Sequence, residues 1–122
     1  MRSVIRERSF GSVRVFWLDR ALALERLRAA ASRLVGQRQD VRAVYLFGSL
    51  AQDRAVPGSD ADVLVLLERS ERRWLDRPLE FGPWFDEVGM PIELFCYTRD
   101  EAERTPLART ALDTGVVLAG RD

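Results

Sequence analysis

Phe47-Gly48-Ser49-Leu50-Ala51-Gln52, followed after a loop by Gly58-Ser59-Asp60-Ala61-Asp62-Val63-Leu64-Val65, is the stretch on which the fold turns. The residues leading into it, Val41 to Phe47, form an apolar run of β-branched and aromatic character that stops at Gly48-Ser49, which predicts a buried strand. Ala61 to Leu67 is almost continuously apolar, as a strand covered on both faces requires. Asp60 and Asp62 stand two apart at the mouth of that strand, so an extended backbone projects both carboxylates from one face. Like charges held that close repel unless a cation sits between them, and hard divalent ions such as magnesium prefer carboxylate and phosphate oxygens. Gly48 has no Cβ and lets a ligand approach the backbone, the turn after it can aim amide N–H groups at phosphate oxygens, and Ser49 adds a hydroxyl.

Outward from this stretch, Ser12 to Leu18 alternates with a period near two and predicts a first strand at an edge. Asp19 then serves as an N-cap, and Leu24, Leu27, Ala31 and Leu34 recur at helical spacing until Gly36 supplies a stop. On the C-terminal side, Glu68 to Pro91 is rich in charges, aromatics and breakers, with room for a short helix over Trp84 to Val88. Ile92 to Tyr97 predicts another strand. Thr98-Arg99-Asp100-Glu101 is a capping box opening a helix through about Asp113, Gly115 closes it, and Val116 to Leu118 makes a last short strand. Strand, helix, strand, strand, helix, strand is the order of an α/β (α+β) fold, a small mixed β-sheet with helices packed on it. At 122 residues and 47% hydrophobic content, the expectation is one domain spanning residues 1–122.

Composition narrows the chemistry. Nineteen basic and nineteen acidic side chains cancel, so no overall field draws the chain to nucleic acid or an anionic membrane, and only a local patch could do so. There is no histidine, which excludes histidine catalysis and histidine metal sites. The N-terminal segment lacks the apolar core of a signal peptide, and no segment is apolar enough over sufficient length to span a bilayer. The single cysteine, Cys96, cannot form an internal disulfide and sits in an apolar run; core packing in a reducing, cytoplasmic setting is the expectation.

Glu93, in Pro91-Ile92-Glu93-Leu94-Phe95, is a charged residue inside an otherwise apolar strand. It either completes a site with the two aspartates or reaches water from an edge strand. Trp74, Phe81, Trp84 and Phe85 suit packing against the sheet or an interface, or else stacking on a base. Arg72 and Arg73 and the helix arginines read as solvated faces.

A Gly-Ser turn, a D-x-D strand about ten residues later and a third carboxylate on a later strand resemble the small nucleotidyltransferases of the DNA polymerase β-like superfamily, in particular the minimal nucleotidyltransferase domain. The resemblance rests on Gly48, Ser49, Asp60 and Asp62 and runs from the helix near Arg20 to the final strand. It implies the nucleotidyltransferase fold, ATP as substrate, and two magnesium ions held by Asp60, Asp62 and Glu93 as metal and catalytic groups, with Gly48 and Ser49 holding the β- and γ-phosphates. The chain departs from the family at Glu93, where aspartate is usual, and at Asp53, where many relatives have glycine; aspartate tolerates the left-handed backbone such a turn requires, and Arg54 is the expected counter-charge. With no room for an acceptor-binding domain, the resemblance further implies a partner: a HEPN-domain protein whose hydroxyl receives AMP, as in a toxin-antitoxin pair, with homo- or hetero-oligomers plausible on a surface left bare. The alternatives are a catalytically weak module that neutralises the HEPN partner by contact, and a subunit that modifies a small hydroxyl compound of the aminoglycoside type.

Overall fold

The computed structural model describes residues 3–121; Met1, Arg2 and Asp122, the ends of the expected domain, lie outside the described residues. A four-stranded mixed sheet has the order β5-β4-β3-β6, formed by β3 (Val41–Phe47), β4 (Ala61–Leu67), β5 (Ile92–Thr98) and β6 (Val116–Gly120). β3 runs antiparallel to both β4 and β6, whereas β4 and β5 are parallel. A parallel pair needs a crossover, and the segment from Glu68 to Pro91 supplies it through 3-10 turns at Trp74–Asp76 and Gly82–Phe85 and the helix α3 (Arg77–Phe81). The short helix expected over Trp84 to Val88 is thus replaced by an earlier one. Pro78 and Pro83 stand in the first turns of α3 and of the second 3-10 turn, where a missing N–H costs nothing, so breakers in the sequence act here as helix starters.

Side chains alternate across the sheet. Val44, Leu46, Val63, Val65 and Leu67 belong to the core under helix α1 (Arg20–Gln37), with Phe81 and Phe85 from the crossover; Ala43, Leu64 and Leu66 face α4 (Arg99–Arg104) and α5 (Pro106–Thr114). Asp19 caps α1 as expected, its carboxylate accepting from the Leu22 N–H at 3.1 Å, and that bond together with Arg6 holds its pKa below the ordinary value. Gly36, however, does not stop the helix. α1 continues to Gln37 and ends because Arg38 turns extended, its guanidinium fixed by Asp40 at 2.7 Å and Glu80 at 2.6 Å. A left-handed glycine is one way to end a helix; a side chain tied to residues beyond the helix is another.

The capping box at Thr98 and Glu101 forms as expected, but the helix after it is two helices. Pro106 has no N–H and pushes Thr105 out of the helical region (φ −113°, ψ 114°), so α4 ends and α5 starts with the proline at its first position. Before α1 lies a hairpin of its own, β1 (Ile5–Phe10) antiparallel to β2 (Val13–Leu18), joined at Gly11 (φ +61°). It is fastened at its base by buried Val4, whose N–H bonds Gly89 and whose carbonyl accepts from Asp19. Beyond that base Phe10, Val13, Val15, Phe16 and Trp17 are all exposed.

Arg77 is the one buried charged residue among the described residues, 4% exposed. Its guanidinium donates to the Cys96 carbonyl at 3.1 Å, the Arg72 carbonyl at 3.1 Å and Glu101 at 2.6 Å, bolting α3 to β5 and α4. The hydrogen bond from Arg77 outweighs burial, which acts the other way, and holds the Glu101 carboxyl down at about 2 from its ordinary 4.5. A depressed carboxyl contributes stability that is present above its unfolded pKa and lost as pH falls through the folded one, so this contribution disappears between about 4.5 and about 2. Arg77→Ala is expected to lower unfolding free energy by about 3 kcal/mol at neutral pH, Glu101 being partly solvated, and by progressively less in acid. Urea melts over that pH range check it; a cost independent of pH would show the pair to be incidental.

Candidate active site

The two halves of the Gly-Ser and D-x-D pattern meet because β3 and β4 are antiparallel neighbours with Phe47 opposite Asp62. The parallel register of β4 and β5 then sets Asp62 beside Glu93. Asp62 therefore has Glu93 on one flank and the turn after Phe47 on the other. Gly48, at φ +76°, is where β3 passes into the single-turn helix α2 (Gly48–Ala51), and a Cβ built on it would lie 2.1 Å from Asp62 Oδ2. Only glycine permits this contact between turn and carboxylate, and the backbone angle independently favours the same residue.

Asp62 is half-buried, and its carboxyl is pushed above the ordinary aspartate range, first by desolvation, then by the neighbouring charge of Glu93, with a carboxyl–carboxyl hydrogen bond to Glu93 and the charge of Asp60 adding to the effect. Asp62 thus feels both other carboxyls. They are not equivalent: Asp62 and Glu93 are register partners, whereas Asp60 is exposed on the loop just before β4. Glu93 is itself exposed on the edge strand, so the notion of a buried charge seeking a partner does not describe it; the register brings it to Asp62. Among the described residues no group of three Asp, Glu or Cys side chains is arranged to hold a metal ion as it stands. The donor chemistry nonetheless suits a hard divalent ion. The group consists of oxygen donors whose mutual repulsion a cation would relieve, beside a glycine cradle that a side chain would fill.

Ser49 is half-buried at the start of α2, and its carbonyl accepts from the Arg54 N–H at 2.8 Å. Asp53 adopts the left-handed conformation inferred for it (φ +57°). Its counter-charge is a different residue from the one expected: Arg54 turns to the side-chain oxygen of Gln52, and Arg20, at the start of α1, pairs with Asp53 at 3.4 Å. Nothing in the sequence pattern marks Arg20, which lies thirty residues and more from the turn it touches. Cys96 is buried, its thiol pushed up to about 12 by burial, and so is core packing. Phe81 and Phe85 pack in the core, Trp84 partly so, and Trp74 lies against Tyr97 with ring centroids 5.8 Å apart. Arg72 and Arg73 pair with Glu80 and Asp76 at the surface. No helix among the described residues is long and apolar enough to cross a membrane.

Comparison with known proteins bears on the family and the fold. No curated protein matches the chain. Among solved structures, that of a candidate nucleotidyltransferase from Sulfolobus solfataricus superposes with a TM-score of 0.63 over 84% of each chain at 17% identity, a likeness of fold. The profile of the nucleotidyltransferase domain matches residues 24–118, which take in α1 from Leu24 onward, the Gly48 turn, both carboxylate strands and β6 up to Leu118. The chain belongs to the nucleotidyltransferase domain family.

Proposed function

We propose that the chain transfers AMP from ATP to a hydroxyl of a partner protein, with magnesium ions held by Asp60, Asp62 and Glu93 and the triphosphate held at Gly48 and Ser49. The observation that carries this is the contact of Gly48 with Asp62 while Asp62 stands in register with Glu93: an acidic cluster joined to a turn whose backbone comes directly against a carboxylate. The ions would neutralise the charge that develops on the triphosphate. The attacking hydroxyl oxygen forms a bond to the α-phosphorus, the bond to the pyrophosphate oxygen breaks, and the proton passes to a carboxylate. Glu93, exposed at the sheet edge beside Asp62, is the group proposed to take it.

The acceptor is proposed as a HEPN-domain protein, following the family resemblance. The hairpin β1–β2, which bares five large apolar side chains outside the matched residues 24–118, supports a protein contact of this kind. It equally supports a module that neutralises its partner by contact alone. Labelled ATP and magnesium, incubated with the chain and the product of the neighbouring gene, should place label on that product, and Asp60→Ala or Asp62→Ala should remove it. Inhibition of the partner that survives both substitutions without label would replace the enzyme by the contact module. Label on an added aminoglycoside instead would make the acceptor a small molecule.

A further inference from the structure

We infer that Arg20 is a positioning residue for nucleotide binding, locking the turn from Gly48 to Asp53 into shape and cancelling the charge of Asp53; this rests on the nucleotidyltransferase reading. α2 is a single turn of four residues, and the carbonyls of Gly48, Ser49 and Leu50 accept from the N–H groups of Gln52, Arg54 and Asp53 at 3.1, 2.8 and 3.3 Å, so the turn is held by few bonds of its own. Arg20 adds to them from outside: Nε donates to the Leu50 carbonyl at 3.1 Å, beside the Asp53 N–H, and Nη2 to the Ala51 carbonyl at 3.3 Å, while Nε also lies 3.4 Å from Asp53 Oδ1. One planar fork thus engages three negative features of the turn, which the point charge of lysine cannot match. Leu50, fully buried, anchors the inner side of the same turn, so Arg20 fixes the outer side.

The charge matters as much as the shape. The Ala51 carbonyl at the end of α2 and the carboxylate of Asp53, 80% exposed, would otherwise present negative potential next to the place where Gly48 and Ser49 meet a triphosphate. Arg54, adjacent in sequence, is occupied with Gln52. Arg20 precedes the residues that the family profile covers, so it pairs with a departure from the family pattern, Asp53, from outside the matched segment.

The test is titration of ATP with magnesium chloride into the wild-type chain, Arg20→Gln, Arg20→Lys, Asp53→Gly and the double variant Arg20→Gln with Asp53→Gly, each with a thermal melt. Arg20→Gln should weaken ATP binding by about tenfold, with Arg20→Lys in between, and Asp53→Gly in the Arg20→Gln background should recover about threefold, because the charge that Arg20 opposed and the left-handed strain on a non-glycine residue are then both gone. General loosening of the fold would lower the melting temperature without such rescue. Binding by Arg20→Gln within about twofold of wild type, or a loss that Asp53→Gly leaves uncorrected, overturns the inference. Absence of ATP binding by the wild-type chain is a separate result, and it overturns the nucleotidyltransferase reading itself.

Discussion

Asp62→Asn should lower nucleotidyl transfer by at least about a thousandfold, equivalent to about 4 kcal/mol of transition-state stabilisation, while leaving the fold as stable as before or more so. The amide keeps the size of the carboxyl and its fit against Gly48, and removes only the charge. That charge is a structural cost: burial and Glu93 raise the Asp62 pKa in the folded chain. A carboxyl whose folded pKa is raised contributes stability below its unfolded pKa and loses it as pH rises through the folded value, so at neutral pH the ionised Asp62 opposes folding. The amide variant escapes this penalty, and its advantage in a thermal melt should vanish in acid, where Asp62 is protonated in both states. Function and stability therefore move in opposite directions, as they do where a site is kept strained for a ligand. Magnesium with ATP should raise the melting temperature of the wild-type chain and leave that of the variant unmoved. Transfer by Asp62→Asn within about tenfold of wild type would remove Asp62 from the chemistry.

The parts of this fold that could be read from the sequence are those specified by local residue patterns. β3 and β4 have the boundaries that their apolar runs and flanking breakers indicate, and the left-handed Asp53 follows from its place in the turn. β1 escaped notice because Ile5–Phe10 alternates arginine, glutamate and serine with few apolar residues; its existence depends on pairing with β2 across the chain, and the clue was the Gly11-Ser12 pair between two alternating segments. The break between α4 and α5 was written in Pro106, whose effect on the preceding residue outweighed the helical period. At the site, residue types and spacing pointed to Gly48, Asp62 and Glu93, but only register brings Asp62 and Glu93 side by side. Arg20 belongs to a third class. Its role is set by contacts across thirty residues, and an arginine at a helix start carries no mark that separates it from the solvated arginines elsewhere in the chain.

Gly48→Ala should be almost as damaging to activity as loss of the carboxylate, about a hundredfold or more, and unlike Asp62→Asn it should also cost about 1 to 2 kcal/mol of stability. Two effects combine. The backbone at φ +76° lies where L-residues pay a penalty whatever the space around them, and the new methyl would lie 2.1 Å from Asp62 Oδ2 and 3.1 Å from its Cγ. The Asp62 side chain can swing away, but it then leaves its place between the turn and Glu93, so relief of the clash is loss of the site. Gly58 separates the two effects. It too has a positive φ (+93°), yet a Cβ there meets nothing within 4 Å. Gly58→Ala should therefore show the backbone penalty in an unfolding curve while transfer stays within about threefold of wild type. In the double variant Gly48→Ala with Asp62→Asn, activity should fall little below that of the worse single variant, since both changes disable one contact. If Gly48→Ala and Gly58→Ala reduced transfer equally, the damage would come from backbone strain in the loop, and the close approach of turn and carboxylate would have no part in the reaction.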